Sequence, residues 1–242
     1  MKWYVTSLAM LLAVLALPVS AGLMPFVVES KFTAGNDGWS AINNAGLQYV
    51  APGSGNGGNG GDGYLRVTDL GAGRMTLVAP SKYTNIAFDE FYGGTLGFDF
   101  KVEKFGTNID RYLPIEVLFY YGSGANDYIV YTVGTPTTAD KNSWLLWQAF
   151  DIPLTEAGWK TANGKSVDIA TFANALDNLK SMQIRVEAAV NNGTSPSGWD
   201  IVCVSGITLL SHPDFRRDVP EPATMTLLGV GALALLRRKR NK

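Results

Sequence analysis

Apolar and polar side chains alternate along two long segments of the chain, TLGFDFKVE (95–103) and SMQIRVEAAV (181–190). A period of two places successive side chains on opposite faces of a strand, so one face of each segment is predicted to pack in a core. The side chains expected inside are Leu96, Phe98, Phe100, Val102, Met182, Ile184, Val186, Ala188 and Val190. Those expected outside are Asp99, Lys101, Gln183, Arg185 and Glu187.

Six further segments are rich in β-branched and aromatic residues and are separated by Gly and Asn turns. They are predicted as strands: 64–69, 75–79, 115–121, 128–133, 147–154 and 201–210. Only 167–179 has helical spacing, because Phe172, Leu176 and Leu179 recur at helical intervals and Asp168 suits the first turn. Many short strands and one short helix predict an all-β fold, an antiparallel β-sandwich.

The first 21 residues have the pattern of a secretory signal peptide. Lys2 precedes an apolar stretch that runs to Leu17, and Pro18 then leads to small residues that end at Ala21. We expect this helical segment to be cleaved after Ala21. A retained membrane helix is the alternative, and the small residues at the exit favour cleavage.

The chain ends in a stiff Pro220-Glu221-Pro222 peptide, an apolar run (223–236) and a basic tail (237–242). Fourteen residues of helix span about 21 Å, against roughly 30 Å for a bilayer core, so the run is a marginal transmembrane helix. The positive-inside rule keeps the basic cluster in the cytoplasm, where it stops transfer: Arg237, Arg238, Lys239 and Arg240. An ordinary C-terminal membrane helix and a buried core helix are the alternatives.

In this order, the Pro-Glu-Pro peptide, helix and basic cluster resemble the PEP-CTERM sorting signal of Gram-negative bacteria, also labelled the ice-binding-protein C-terminal domain. The resemblance covers 219–242. It implies that an exosortase recognises 220–222 and removes the tail. The protein would be an inner-membrane precursor and then a component of the cell surface or extracellular matrix.

The composition between the two terminal segments restricts the partners. Residues 22–219 hold fourteen Lys and Arg against twenty Asp and Glu, a formal net charge of −6. A mildly acidic domain has no electrostatic footprint for nucleic acid. The single cysteine, Cys203, rules out an intramolecular disulfide and is expected to be a small buried hydrophobic residue.

A second resemblance extends over most of the exported region. APSKY (79–83), YGGTL (92–96) and LKSMQIRVE (179–187) resemble the laminin IV type A, or laminin-B-like, domain. This family implies a jelly-roll sandwich akin to carbohydrate-binding modules, here over 22–211, with a linker at 212–219. One departure is WDIV (199–202), where the family pattern has Leu-Asp-Asn-Val.

Signals for catalysis are sparse. The only histidine, His212, lies in the predicted linker, and no nucleophile-elbow, zinc-protease or phosphate-loop motif occurs. Scattered carboxylates supply the residue type of a glycosidase pair: Asp99, Glu116, Asp127 and Glu187. Outward-facing acids on strands are usually only solvated, so we expect no enzymatic activity.

Binding residues are the remaining candidates. Tyr120, Tyr121 and Tyr128 flank the GSGAN turn and offer flat surfaces on which sugar rings pack, whereas Trp39 and Trp159 are expected in the core. Glu29 and Asp200 are oxygen donors suited to a structural calcium, the one cofactor considered.

These observations predict a non-enzymatic exported surface or matrix protein that associates with glycan or exopolysaccharide. Its expected partners are the secretion machinery, an exosortase, the membrane before processing, and extracellular polysaccharide. The alternatives are a secreted glycan-active enzyme with paired carboxylates and a protein-binding adhesion module.

Overall fold

Two antiparallel six-stranded sheets form the framework of the part of the chain that the computed structural model describes. The described residues are 26–43, 45–53, 58, 61–71, 73–106, 109–191 (without the side chain of Asn191) and 200–212, and they belong to one compact unit, Pro25–Phe215. The predicted signal segment (1–21) and the sorting segment (220–242), including Arg237, Arg238, Lys239 and Arg240, lie outside them. Within the described ranges, no helix is long and apolar enough to cross a membrane.

The strands follow one another with short connections. In chain order they are β1 (Val27–Ser30), β2 (Ser40–Ile42), β3 (Ala45–Val50), β4 (Tyr64–Asp69), β5 (Thr76–Val78), β6 (Thr95–Lys104), β7 (Ile109–Tyr112), β8 (Ile115–Tyr120), β9 (Tyr128–Gly134), β10 (Gln148–Pro153), β11 (Trp159–Thr161), β12 (Ser181–Arg185), β13 (Ala189–Asn191) and β14 (Ile201–Leu210). The helices are α1 (Phe88–Phe91) and α2 (Ile169–Asp177), with 3-10 turns at Ser81–Tyr83 and Ser143–Leu145.

The strand order gives a sandwich, as predicted. The first sheet has the order β10-β6-β14-β4-β3, and β1 pairs with the second half of β14 beside β4. The second sheet has the order β11-β9-β8-β12-β5-β2, and β7 and β13 form a separate two-stranded ribbon. Each pairing is antiparallel, so each sheet has one inner and one outer face.

The inner faces hold the residues that the alternation predicts. Four of the five predicted residues of the second segment are fully buried, as are three of the four from β6, and Phe98 is 2% exposed. Asp99 and Arg185 are partly exposed, but the prediction for Glu187 was wrong, because its side chain is only 8% exposed. β12 ends at Arg185, so the alternation of inner and outer faces no longer applies at Glu187. It no longer applies at Val190 either, and that side chain is half-buried.

All eight predicted strand segments contain a strand, and the ends of the six segments predicted from composition agree within a residue. Segment 181–190 is instead divided into β12 and β13. The predicted helix is α2, whose N-cap Asp168 accepts a hydrogen bond of 2.7 Å from the Thr171 amide. The expectation of one helix was incomplete, because α1 forms a single turn. Five short or edge strands were also not predicted: β1, β2, β3, β7 and β11.

A buried polar cluster joins the two sheets near β1. Trp39 Nε1 donates to Ser30 Oγ at 3.1 Å, and the Tyr83 hydroxyl donates to the Ile207 carbonyl at 2.8 Å. The Trp39 and Tyr83 rings meet edge to face with centroids 5.4 Å apart, and burial raises the pKa of Tyr83. Trp39 and Trp159 are both in the core, as predicted.

Cys203 confirms the expectation of a buried residue. It is a free cysteine with no exposed surface, and its Sγ donates to Glu103 Oε2 at 3.4 Å. Burial is the main cause that raises the pKa of the thiol, and the negative charge of Glu103 is the second. The thiolate is therefore disfavoured.

Candidate functional site on the outer face of the second sheet

Two tyrosines stand side by side on the outer face of the second sheet. Tyr120 on β8 and Tyr128 on β9 are direct cross-strand partners, with ring centroids 5.0 Å apart and planes inclined by 45°. Both side chains are half-buried. Tyr121, the third predicted contact residue, packs against the core instead, because neighbouring residues at the strand end face opposite sides.

An apolar floor lies beside these rings. Leu118, two residues before Tyr120, is completely buried, yet it does not belong to the core between the sheets. Its cross-strand partners on the outer face are Val130 on β9 and Gln183 on β12. We call Leu118, Tyr120, Tyr128, Gln183 and Arg185 the tyrosine face.

A network of charged side chains borders the tyrosine face on one side. The Arg185 guanidinium lies 5.8 Å from the Tyr128 ring centroid and donates to Glu116 Oε2 at 3.1 Å. Arg74 donates to the same oxygen at 2.9 Å and also to the Pro114 carbonyl. Burial by itself lowers the pKa of Arg185, but the hydrogen bond and charge of Glu116 outweigh it and raise the pKa overall.

This arrangement suits a ligand with flat apolar surfaces and hydroxyl groups. The tyrosine rings offer stacking surfaces and their hydroxyls donate and accept hydrogen bonds, while Gln183 adds an amide. Two guanidinium groups face one carboxylate in the network, so the local charge is positive and favours neutral or anionic ligands. Nothing in this set provides a nucleophile with an adjacent base.

The four carboxylates considered for a glycosidase pair lie in different environments. Asp99 is on the outer face of the first sheet, whereas Glu116 is ion-paired on the outer face of the second. Asp127 Oδ2 accepts from the Gly124 amide at 2.7 Å and stabilises the turn before β9. Glu187 is buried at one end of the sandwich. The structure therefore does not bring these four together.

Glu187 belongs to a buried acidic cluster with Asp69 and Asp200. It accepts from the Met75 amide at 3.3 Å, and Asp69 accepts from the Gly71 amide at 3.0 Å. Burial, together with the charge of Asp69, raises the pKa of Glu187 from 4.5 to about 7. Such a pKa suits a general acid, but the three carboxylates are all buried, so substrate has little access to them.

The two candidate calcium ligands are far apart. Glu29 pairs with Thr208 and Asp200 precedes β14, so eight strand residues, roughly 26 Å, separate them. Asp200 accepts from two backbone amides, those of Gly106 and Ala189, both at 2.7 Å.

Near Glu29, the ammonium group of Lys82 already contacts oxygens that could otherwise bind a calcium ion. Lys82 Nζ donates to the Glu29 carbonyl at 2.6 Å and to Asp37 Oδ2 at 2.5 Å, while the Glu29 carboxylate pairs with Lys31. Among the residues described, no three His, Cys, Asp or Glu side chains are grouped to hold a metal. One calcium ion cannot use both Glu29 and Asp200.

Two family models match the chain. The model for the Laminin B (Domain IV) family matches residues 77–198, and the model for the PEP-CTERM protein-sorting motif matches residues 218–240. A search of curated proteins found no significant match.

Solved structures resemble the domain at low sequence identity. The L4b domain of human laminin alpha-2 is 13% identical, with a TM-score of 0.51 over 77% of this chain and 97% of that domain. The family 11 carbohydrate-binding module of Lic26A-Cel5E from Clostridium thermocellum is 14% identical, with a TM-score of 0.42 over 77% and 95%. The first of these matches identifies the fold as that of the laminin domain.

Proposed function

Because the chain belongs to the Laminin B (Domain IV) family and ends in a PEP-CTERM sorting motif, we propose that it is a non-enzymatic, exopolysaccharide-associated protein of the bacterial surface or matrix. Both resemblances predicted from the sequence are confirmed, and together they support export to the cell surface. The precursor enters the inner membrane of a Gram-negative cell through its C-terminal helix. An exosortase then cleaves the tail.

One observation carries the proposed polysaccharide binding: the Tyr120–Tyr128 pair beside the buried Leu118. An outer sheet face normally carries scattered polar side chains, whereas this one keeps two aromatic rings and a guanidinium in fixed contact. Sugar rings present C–H surfaces to aromatic planes and hydroxyls to Arg, Gln and Tyr. We therefore place the glycan on the tyrosine face. The dispersed carboxylates support a binding role over hydrolysis.

A glycan array first identifies a polysaccharide that the mature wild-type protein binds. Tyr128→Ala is expected to weaken binding to that polysaccharide by about tenfold, roughly 1.4 kcal/mol, because one stacking surface is lost. Affinity measured by titration calorimetry checks this. Tyr112→Ala, which removes a half-buried tyrosine of the separate ribbon, is the matched control and should bind as wild type. Equal affinities of wild type and Tyr128→Ala, with both proteins folded, would exclude the tyrosine face.

Replacing Pro220, Glu221 and Pro222 by Ala is expected to leave signal-peptide cleavage intact but to keep the protein in the membrane fraction at near full length. The signal peptidase reads the residues up to Ala21, whereas the exosortase would read the altered peptide. Fractionation and mass spectrometry of both termini measure the result.

A charge variant tests the other half of the tail. Replacing the basic cluster at 237–240 by Ser should instead weaken the stop that holds so short a helix, so more chain crosses the membrane unprocessed. A native protein that still ends at Lys242, in quantity and outside the membrane, would contradict the proposed sorting.

A further inference from the structure

A second groove lies on the outer face of the first sheet, on the opposite side of the sandwich from the tyrosine face. Its volume is about 270 Å³, and β6, β10 and β14 line it. Gly97 lies at its centre, opposite Asp151 on β10 and Thr208 on β14, and Asp99 follows on the same strand face. We call Gly97, Asp99, Asp151 and Thr208 the carboxylate groove.

The glycine at the centre leaves space that a side chain would fill. Gly97 lies inside a strand, where glycine is less stable than alanine and often marks a close approach by a ligand or another backbone. A Cβ placed on it would meet only the groove's sides: Asp151 Oδ1 at 3.1 Å and the Phe150 and Thr208 carbonyls beyond 3.6 Å. These three nearest atoms belong to the two strands that flank β6.

The neighbouring strand β14 has a bulge beside the same groove. The register between β6 and β14 shifts between Ser205 and Thr208, and Gly206 there has a φ of +59°. A Cβ on Gly206 would come within 2.9 Å of Asp99 Oδ2, so glycine keeps the carboxylate in its place. Bulges of this kind are common beside binding sites, where they redirect side chains.

The charges along this face select against charged polymers. Asp151 is exposed and makes no hydrogen bond or ion pair within the described residues, and Asp99 adds a second carboxylate, so a polyanion is repelled. Two residues beyond Asp99, the Lys101 ammonium lies 5.0 Å from the Trp147 ring centroid and 5.7 Å from that of Tyr64, and it places a positive charge at that end of the face. An uncharged, hydroxyl-rich polymer can form hydrogen bonds with the carboxylates at one end of this face and with the Lys101 ammonium at the other.

Trp147, beyond the residues that line the groove, offers a stacking surface next to Lys101. It is half-buried, its ring contacts Tyr64 edge to face at 5.7 Å, and Lys101 lies against both rings. Four residues separate Trp147 from Asp151, about 13 Å along the strand direction. Carboxylates accept hydrogen bonds from sugar hydroxyls at one end, and the indole packs against a sugar ring at the other.

We propose that the carboxylate groove is a second glycan site, specific for a neutral polysaccharide. The inference rests on the proposed polysaccharide binding and adds an independent surface to it. The tyrosine face carries positive charge and the groove carries negative charge, so the two sites select different chains. A domain with sites on both outer faces joins two polysaccharide chains.

Gly97→Thr tests the groove without disturbing the fold. Threonine favours strands, and its added atoms meet the flexible, exposed end of Asp151. The probes are neutral hexasaccharides of glucose, xylose, mannose and galactose, titrated against the mature protein. We expect wild type to bind at least one of them, and Gly97→Thr to weaken that binding at least tenfold without lowering the melting temperature. Gln48→Thr, at an exposed position of the same sheet, is the control and should bind as wild type.

The outcomes separate this site from the tyrosine face. Binding of a neutral hexasaccharide that Gly97→Thr weakens and Tyr128→Ala does not weaken supports the second site. Equal binding by wild type and Gly97→Thr overturns it and leaves the proposed function standing. If wild type binds only anionic polysaccharide and Tyr128→Ala loses that binding, the second site is likewise overturned and the proposed function stands. Failure of wild type to bind any neutral or anionic glycan overturns both.

Discussion

Replacing Phe98 with Asp should destabilise the domain by about 4 kcal/mol or more, enough to leave much of it unfolded. Phe98 is 2% exposed on β6, which lies between β10 and β14, and its ring is 5.8 Å from that of Phe150. Asp at this position buries a charge with no partner and leaves a cavity in the core.

Urea unfolding measures this effect as a shift of the midpoint. Gln48→Asp adds the same charge at an exposed strand position of the same sheet and should change the free energy of unfolding by no more than about 0.5 kcal/mol. Phe98→Leu should fall between the two, because it keeps an apolar side chain. If Phe98→Asp unfolds at the wild-type midpoint, the inner face of β6 is wrongly assigned.

Glu187→Gln should raise the free energy of unfolding at pH 8 by about 3 kcal/mol and leave it nearly unchanged at pH 4. Burial raises the pKa of Glu187 to about 7 in the folded protein, against 4.5 in an ordinary environment. The folded state therefore holds this proton more tightly than the unfolded chain. As pH rises from 4.5 to 7 the unfolded chain releases it first, so wild-type stability falls across that window. Glutamine stays neutral and its carbonyl still accepts from the Met75 amide.

Denaturation curves at pH 4 and pH 8 check the result. Asp89→Asn, which neutralises an exposed carboxylate, should keep the wild-type difference between the two pH values. A Glu187→Gln protein that loses as much stability as wild type over this range would show that another group is responsible.

The longer strands were predictable because alternation reports a buried face directly. β6 runs ten residues, long enough for the period of two to be read from its side chains, whereas the equally long β14 is marked by its β-branched residues. β2 and β11 have three residues each, too few to show any period, and they form through pairing with β5 and β9. Glu187 was misassigned for a related reason: the sequence does not mark where β12 ends.

The candidate site was only partly predictable. Consecutive Tyr120 and Tyr121 had to face opposite sides, but register alone decides which one shares an outer face with Tyr128. Arg185 was expected outside, yet its contacts with Tyr128 and Glu116 depend on pairing between β8 and β12. The sorting tail differs because it is a linear motif, recognisable without any fold.

The paired ends of β1 and β14 have a mechanical consequence. Phe26 and Ser211 exchange hydrogen bonds of 2.9 Å, and the amide of His212 bonds the Glu90 carbonyl. Tension applied to the chain after His212 therefore enters along β14, which has β6 on one side and β4 and β1 on the other. Many ladder bonds must then shear together instead of opening one at a time, so the domain should withstand a steady pull between its C-terminal end and a captured polymer.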